Sequence, residues 1–373
     1  MLWLTKKILE LREFGYTQHW IKADLNSRPK TPLTREEKDA IRAAYKPFNI
    51  IKSFDYKWFE AYKYFQGKAD PKSIPEDFWK YYEYVLNPHK YQMIQHKGIL
   101  HKFLPKEMLP VTIINKMYGV LYDKNDNILS EQQAAELLHK SQHFLYKPNI
   151  ETGGGKGLQE IDLTKSDEAE QHRVIQDILH RDNFICQELL EGSPAMTRFN
   201  HNPRTVNTIR CITLLLNGKA SVVSSYLRMS AGDTVNDNVS FSTKTNLNKE
   251  TANCYVGIHS DGTLHEFGLC RIDRARKFFE SPSGIVFKGE KLTFYDRIKE
   301  ELINLHMHLP FLGFIAWDVT LDKNDNIRII EINLNYQDID DHHLFNGAVF
   351  ADRFEEIMTY IEKNNSPYHI LRI

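Results

Sequence analysis

The stretch that decides the fold is GFIAWDVTLDKNDNIRIIEINLN, residues 313–335. Two β-branched and aromatic runs flank the polar string DKNDN at 322–326, where Asn and Asp suit a tight turn. The pattern predicts a β-hairpin. With the turn centred between Asn324 and Asp325, Asp318 falls directly opposite Glu331, at a Cβ separation of about 4.5–5.5 Å. Asn333 lies two residues beyond Glu331 and so shares its face. Two carboxylates and a carboxamide then converge among apolar neighbours: Phe314, Ile315 and Trp317 on one strand, Ile329, Ile330 and Ile332 on the other. Facing carboxylates repel, so a purely structural pair should avoid this arrangement. A hard cation held by few protein oxygens, such as Mg²⁺ shared with substrate phosphates, removes the penalty. A one-residue slip of register would instead send one carboxylate to solvent.

The same five residues, DKNDN, occur earlier at 123–127, again between two β-like runs. Neither copy is a calcium loop, because the Gly at position six and the Glu at position twelve are missing. Further short β-rich runs are VTIIN, GVLYD, HFLYKP, FICQELL, TIRCITLLL and ASVVSSYLRM. Helices are expected between and after them, at 131–141, 166–180, 291–307 and 350–363. This mixture reads as α+β with mainly antiparallel pairs.

The front of the chain has another texture. Residues 2–14 form an amphipathic pattern through Leu4, Ile8 and Leu11; such a helix docks on its own protein or lies on a membrane surface. NSRPKTPLTREE, residues 26–37, ends in a capping-box pattern, Thr34 to Glu37. Aromatic-rich helices are expected at 54–65 and 76–86. The chain has 373 residues and a net charge of −1. That balance hides an asymmetry: residues 1–110 hold 20 Lys/Arg against 13 Asp/Glu, and the rest 28 against 36. The basic end also carries 20 of the 44 aromatics. It would suit an anionic partner such as a nucleotide sugar, a polyanionic glycan or a membrane surface, or simply pack a core of its own. No compact basic cluster or recognition motif points to nucleic acid.

With 42 % apolar and 26 % charged residues, the composition is that of a soluble globular protein. No apolar run is long enough to span a membrane, and the first residues lack the order of a signal peptide. The four cysteines, Cys186, Cys211, Cys254 and Cys270, show no C-x-x-C, which argues against a disulfide framework or thiolate zinc site and for a cytoplasmic location.

Three further constellations bear on chemistry. HFLYKPNIETGGGKGLQEIDL, residues 143–163, is a β-run ending at Lys147, a glycine-rich loop with Gly153, Gly154, Gly155 and Lys156, and a second β-run. It is not a P-loop, because no Ser or Thr follows Lys156. Its backbone could approach phosphate oxygens closely; a flexible hairpin fits equally. In FICQELLEG, Gln187 and Glu188 interrupt an apolar run, so they serve a ligand or end a strand in solvent. Arg210 and Arg228 sit inside β-like runs and need an anion, either a ligand's phosphate or carboxylate or an internal salt bridge. The cluster Asp338, Asp340, Asp341, His342 and His343 lacks zinc-site spacing and reads as a substrate-facing loop or helix cap.

Together, the Lys-Pro strand with its glycine loop, the Gln-Glu pair, the paired arginine strands and the Asp…Glu-x-Asn hairpin resemble the ATP-grasp superfamily. The aromatic front end and the NTIR and LRMS segments resemble its sugar-transfer-associated branch. The resemblance implies two α+β subdomains clamping ATP, behind a helical aromatic-rich region at 1–90, with the first and lid subdomains at 91–190 and the catalytic one at 191–373. It implies that Lys147 and the main chain near Glu188 hold the adenine end, that Lys97 is an earlier phosphate lysine, and that Gly153 to Lys156 close over the triphosphate. Asp318, Glu331 and Asn333 would ligate one or two Mg²⁺, with Mn²⁺ as a substitute. Arg228 and Arg210 would face the acyl phosphate or acceptor. One departure stands out: many amide-forming relatives carry an Arg just before the metal Asp, where this chain has GFIAWD. The expected activity is an ATP-dependent carboxylate–amine ligase acting on an amino acid, sugar acid or glycan in surface-polysaccharide assembly. A sugar or polyol kinase, or a non-catalytic nucleotide- or glycan-binding module, are the alternatives.

Overall fold

Helix signals at the front end are obeyed closely. The structure is a computed structural model and describes residues 19, 21–48, 55–149, 157–231, 254–270, 275–335 and 337–364; the expected helix at 2–14 lies outside these. A short helix α1 covers 21–27. In α2 (Arg35–Tyr45) the Thr34 hydroxyl accepts from the Glu37 N–H and the Glu37 carboxylate accepts from the Thr34 N–H, a reciprocal cap. Helix α3 (Lys57–Gln66) stops at Gly67, whose φ of 77° suits glycine, and α4 (Glu76–Leu86) follows Pro75. Three 3₁₀ segments, His89–Gln95, Lys97–Lys102 and Lys106–Met108, lead into the first sheet.

That sheet contains β1 (Thr112–Met117), β2 (Val120–Asp123), β3 (Ile128–Leu129), β4 (His143–Pro148), β5 (Gln159–Asp162) and β6 (Phe184–Glu188), in the order β3-β2-β1-β6-β4-β5. Every pairing is antiparallel. Helices α5 (Glu131–Ser141) and α6 (Glu168–His180) supply Ala134, Leu138, Ile175, Ile178 and Leu179 to a core with Ile114, Leu121, Phe144 and Phe184.

After the one-turn α7 (Pro194–Thr197) comes a second sheet. Its strands are β7 (Ile209–Leu216), β8 (Lys219–Met229), β9 (Cys254–Ile258), β10 (Leu264–Cys270), β11 (Lys277–Phe278), β12 (Phe314–Leu321) and β13 (Ile327–Asn333). Their order is β11-β10-β9-β8-β7-β12-β13, again antiparallel. Helix α8 (Tyr295–Met307) lies between β11 and β12; α9 (Ile339–Asn346) and α10 (Phe354–Asn364) follow β13. Strands β9 and β10 fall outside the expected runs, although Asp261–Gly262, with Gly262 at φ 87°, is an ordinary turn signal between them.

Both faces of this sheet are covered, and the residues of β12 show how. Ile315, Trp317 and Val319 pack with Ile298, Leu302 and Leu305 of α8. Phe314 and Ala316 point the other way, into a core with Tyr45, Phe59, Phe78 and Trp79 of the front-end helices and Ile357 and Met358 of α10. Trp79 stacks on Phe350, with ring centroids 5.2 Å apart. The aromatic front end is therefore part of the second sheet's own core. Each fully buried side chain of this size contributes about 1.5–3 kcal/mol. All eight residues of β12 are buried, which is why the strand reads as a nearly continuous apolar run in which Asp318 stands out.

The repeated DKNDN string folds the same way twice. At the first copy, Asp123 Oδ1 accepts from the N–H groups of Asn125 and Asn127 at 2.8 and 2.9 Å, and Asp126 adopts φ 67°. At the second, Asp322 Oδ1 accepts from Asn324 and Asn326 at 2.9 and 3.0 Å, and Asp325 adopts φ 61°. In both, the last Asn returns its side-chain amide to the first Asp. The same five residues thus make the same local bonds in both turns, and each turn also has distant partners, His101 and Lys102 on Asp126 and Ser193 on Asp325.

Candidate active site

The hairpin pairs Asp318 with Glu331 and Ala316 with Asn333. The route to that register differs from the one expected. The turn is centred on Asn324, pairing Leu321 with Ile327 and Val319 with Ile329. A bulge between Val319 and Asp318 then takes up one extra residue on β13 and returns Glu331 to the face of Asp318. Bulges commonly re-aim side chains at functional sites.

Across the other edge of β12, Asp318 pairs with Arg210. Arg210 Nε donates to Asp318 Oδ1 at 2.5 Å and Nη2 to Oδ2 at 3.0 Å, a bidentate grip. Arg228 adds a third donor from Nη1 to Oδ2 at 3.3 Å. The anion that these strand arginines were expected to need is thus Asp318 itself. Burial of Asp318 works against its charge, but Arg210 and then Arg228 outweigh it and hold the carboxyl down at about 2. Glu331 shows the opposite: burial first, and then the charge on Asp318, push its carboxyl up, while Lys97 pulls it down. Lys97 Nζ lies 3.6 Å from Glu331 Oε2.

These groups open on a cleft of about 500 Å³ between the two sheets. Lys97, Lys147 and Glu188 line it from the first sheet's side, and Arg228, Asp318 and Glu331 from the second. Lys147 is buried, and the loss of water lowers its pKa to about 8; Glu331 raises it and Lys97 lowers it further. Leu145, Leu158, Leu189, Leu190 and Ile330 add apolar walls. Such a mix of apolar surface and a few convergent charges typifies small-molecule sites.

Other expected residues are placed differently. Arg210 is buried behind Asp318 and is not on the cleft wall; its remaining Nη1 reaches Asp338 Oδ2 at 3.4 Å. Gln187 turns away and donates to Pro110 O at 3.4 Å. The Glu188 N–H already donates to Val111 O at 2.9 Å and so is engaged within the protein. Gly153, Gly154, Gly155 and Lys156 lie outside the described residues. Of the two readings of the Asp338–His343 cluster, the helix cap holds and the substrate-facing loop does not: Asp338 is the N-cap of α9, and Asp340, Asp341, His342 and His343 are buried within that helix. Arg28 binds Asp340 and, at 3.0 Å, Asp341. His342 Nδ1 lies 2.7 Å from Ser224 Oγ, and His343 Nδ1 donates to Gly347 O at 2.7 Å.

The sequence did not single out His143, Arg204 and Thr208, which also line the cleft. His143 and Arg204 both meet Glu160 Oε1, at 2.8 and 3.3 Å, tying β4 and β5 to the segment before β7. Nothing local marks these residues, because their juxtaposition exists only when the two sheets meet.

A model of the sugar-transfer associated ATP-grasp family matches residues 78–359. The chain belongs to that family. No curated protein matches this ATP-grasp chain. Among solved structures, similarity extends to the ATP-grasp ligase PsnB complexed with its minimal precursor, at 12 % identity over 74 % of this chain and 64 % of that one, with a TM-score of 0.41. It also extends to the VanG D-Ala:D-Ser ligase from Enterococcus faecalis, at 13 % identity over 73 % and 60 %, TM-score 0.38. A biotin carboxylase complex from Campylobacter jejuni aligns at 11 % identity over 73 % and 46 %, TM-score 0.42. The chain therefore spans under two thirds of the length of each.

The family implies a divalent cation with ATP, and the donor set fits one. Asp318, Glu331 and Asn333 offer only oxygen donors, the chemistry of a hard ion. The raised carboxyl of Glu331 marks a site where added positive charge is favourable. The buried Nδ2 of Asn333 has no hydrogen-bond partner among the described residues, so no protein contact fixes its carboxamide through the nitrogen. Among those residues, no three His, Cys, Asp or Glu form a metal cage. An ion here would complete its shell with water and phosphate, as Mg²⁺ does.

Proposed function

We propose that this ATP-grasp protein is an ATP-dependent carboxylate–amine ligase. The observation that carries the proposal is the convergence, in one cleft, of two lysines from one side with Asp318 and Glu331 from the other. Lys97 and Lys147 are placed to neutralise phosphate oxygens, and the apolar Leu189–Leu190 stretch to hold an adenine. Glu331 and Asn333 would hold Mg²⁺, with a second lone pair of Asp318 Oδ1 beyond the one that Arg210 occupies; the ion would supply charge neutralisation on the phosphates.

In the reaction, a substrate carboxylate oxygen forms a bond to the γ-phosphorus as the bond to the β–γ bridging oxygen breaks, releasing ADP. An amine then attacks the acyl carbon, loses a proton and expels phosphate. Such transfer needs positioning and positive charge more than a covalent nucleophile. Arg228, on the cleft wall, is placed to meet the acyl phosphate. Arg210, behind it, positions Asp318. The glycines at 153–155 with Lys156 would cover the triphosphate. We assign the front end to 1–90, the first and lid subdomains to 91–190 and the catalytic subdomain to 191–373. The family's association with sugar transfer supports a sugar acid or glycan as substrate; we propose these or an amino acid, in cytoplasmic polysaccharide or glycoconjugate assembly.

The test is a screen of amino acids and uronic acids, with amines, for release of ADP and phosphate. Amine-dependent release of both in equal amounts supports the ligase. A stable phosphorylated product with no phosphate release identifies a kinase instead. Glu331→Gln is expected to abolish turnover while leaving the thermal midpoint near that of the parent; unchanged ADP formation would remove the metal role from Glu331.

A further inference from the structure

Gly98, Asn115 and Asn149 belong to three separate stretches of chain, and they meet behind the cleft. Asn115, on β1, donates from Nδ2 to Gly98 O at 2.9 Å. Asn149, just past β4, donates from Nδ2 to Asn115 Oδ1 at 2.8 Å and to Lys116 O at 3.1 Å. Its main chain is engaged too: the Lys97 N–H donates to Asn149 O at 3.4 Å, and the Asn149 N–H donates to Asn183 O at 2.7 Å. Contact is close enough to exclude any side chain at residue 98. A Cβ there would lie 2.6 Å from Asn115 Oδ1 and 2.9 Å from Asn149 Nδ2. Asn115 and Asn149 are 3 % and 1 % exposed.

Each anchor point sits beside a cleft lysine. Gly98 is the neighbour of Lys97, and Asn149 is two residues beyond Lys147. We infer that Asn115 and Asn149 form a neutral clasp that fixes the spacing of Lys97 and Lys147 for nucleotide binding. This rests on the reading of the cleft as a nucleotide site. The physical need is plain: both lysines carry charge toward Glu331, and Lys97 acts on Lys147 repulsively. Two like charges on separate segments drift apart unless their backbones are tied. A carboxylate tie would draw the ammonium groups out of the cleft, whereas a carboxamide tie cannot. The clasp also carries a cost: Asn149 Oδ1 is buried with no partner among the described residues, and the bonds made by the two Nδ2 groups must offset it. Asn115 and Asn149 are positioning residues; the lysines make the contact.

The experiment measures affinity for a non-hydrolysable ATP analogue with Mg²⁺, by calorimetry, in the parent, Asn149→Asp, Lys97→Ala and the double variant. Asp keeps the volume of Asn and loses the donor. The clasp predicts about a tenfold loss for Asn149→Asp in the parent and less than twofold in the Lys97→Ala background, the non-additivity expected of residues acting through one another. A merely structural role gives the same loss in both backgrounds, and that result, or no loss at all, overturns the clasp. If the parent binds no nucleotide, the reading of the cleft fails and the clasp falls with it. Should Asn149→Asp not fold, Gly98→Ala disrupts the same contacts from the other side and is scored against Lys97→Ala in the same way.

Discussion

The Arg210 guanidinium grips Asp318 with two N–H donors, Nε to Oδ1 at 2.5 Å and Nη2 to Oδ2 at 3.0 Å, directly across the β7–β12 ladder. Both side chains are nearly inaccessible, at 6 % and 3 % exposure. Removing one partner of such a pair strands the other charge in the interior, at a cost of about 3–5 kcal/mol. Arg210→Met should therefore lose stability on that scale in urea denaturation. Arg210→Lys should recover only part of it, because an ammonium cannot match the fork. Arg228→Met should cost less, since its contact to Asp318 is single and longer, at 3.3 Å. Equal losses at the two positions would contradict the bidentate assignment.

The same pair sets an acid limb. The folded-state carboxyl of Asp318 lies near 2, below the ordinary value of about 3.9. Its contribution is thus fully present above the unfolded value and is lost as pH falls from about 4 toward 2. Asp318→Asn removes that titration. Stability of the variant between pH 5 and pH 3 should fall less steeply than that of the parent, by about 1 kcal/mol across the window. Parallel pH curves from denaturant titrations would refute the assignment.

Lys147 runs in the other direction. Burial holds its pKa at about 8, so the unfolded chain binds the proton more readily. The resulting penalty is fully present below pH 8 and fades as pH rises toward 10.5. Lys147→Met should stabilise the ligand-free protein at pH 7, on the order of 2–3 kcal/mol, and stabilise it less at pH 10. It should also abolish the thermal shift given by ATP analogue with Mg²⁺. Stability without nucleotide and affinity for it would then trade against each other at a single residue, as expected for a functional site. A variant that is destabilised at pH 7, or that keeps the nucleotide shift, would show that Lys147 serves the fold.

Much of this arrangement was legible in the sequence because its determinants are local. The capping box at Thr34 and the span of β13 follow from periodicity and turn chemistry within a few residues; the expected pairing of Asp318 with Glu331 is present, but it is reached through a turn centred on Asn324 and a bulge that periodicity does not contain. What was not legible depends on which surfaces meet. Arg210 and Arg228 signalled a buried anion, but only the strand order shows that Asp318 is that anion. The aromatic front end signalled a core without saying that the core belongs to the second sheet. The Asp338–His343 cluster looked accessible because its partners, Arg28 and Ser224, lie more than a hundred residues away. Asn115 and Asn149 gave no signal at all: a buried amide differs from a surface one only in its surroundings.

The two copies of DKNDN allow a controlled test of how far a turn reaches. Both Asp residues accept two backbone N–H groups and one Asn side chain. Asp322 has one further partner, Arg328, whose Nε donates at 2.8 Å, and it is buried. Asp123→Ala should cost about 1 kcal/mol, typical of a lost side-chain cap on backbone donors. Asp322→Ala should cost about 2–3 kcal/mol, because the charged contact with the half-buried Arg328 goes as well. The sharper difference lies in activity. The first turn ends on the short edge strand β3, whereas the second fixes the centre of the β12–β13 hairpin, from which the bulge and the Asp318–Glu331 pairing are counted. Loosening the second turn should lower turnover by about an order of magnitude under conditions where the variant remains folded, since small misplacements of reacting groups are costly. Asp123→Ala should leave turnover within about twofold of the parent, the range expected of a substitution far from the chemistry. Equal activity of the two variants, measured as ADP release at a temperature well below either midpoint, would show that the register of β13 is held by the sheet and not by its turn.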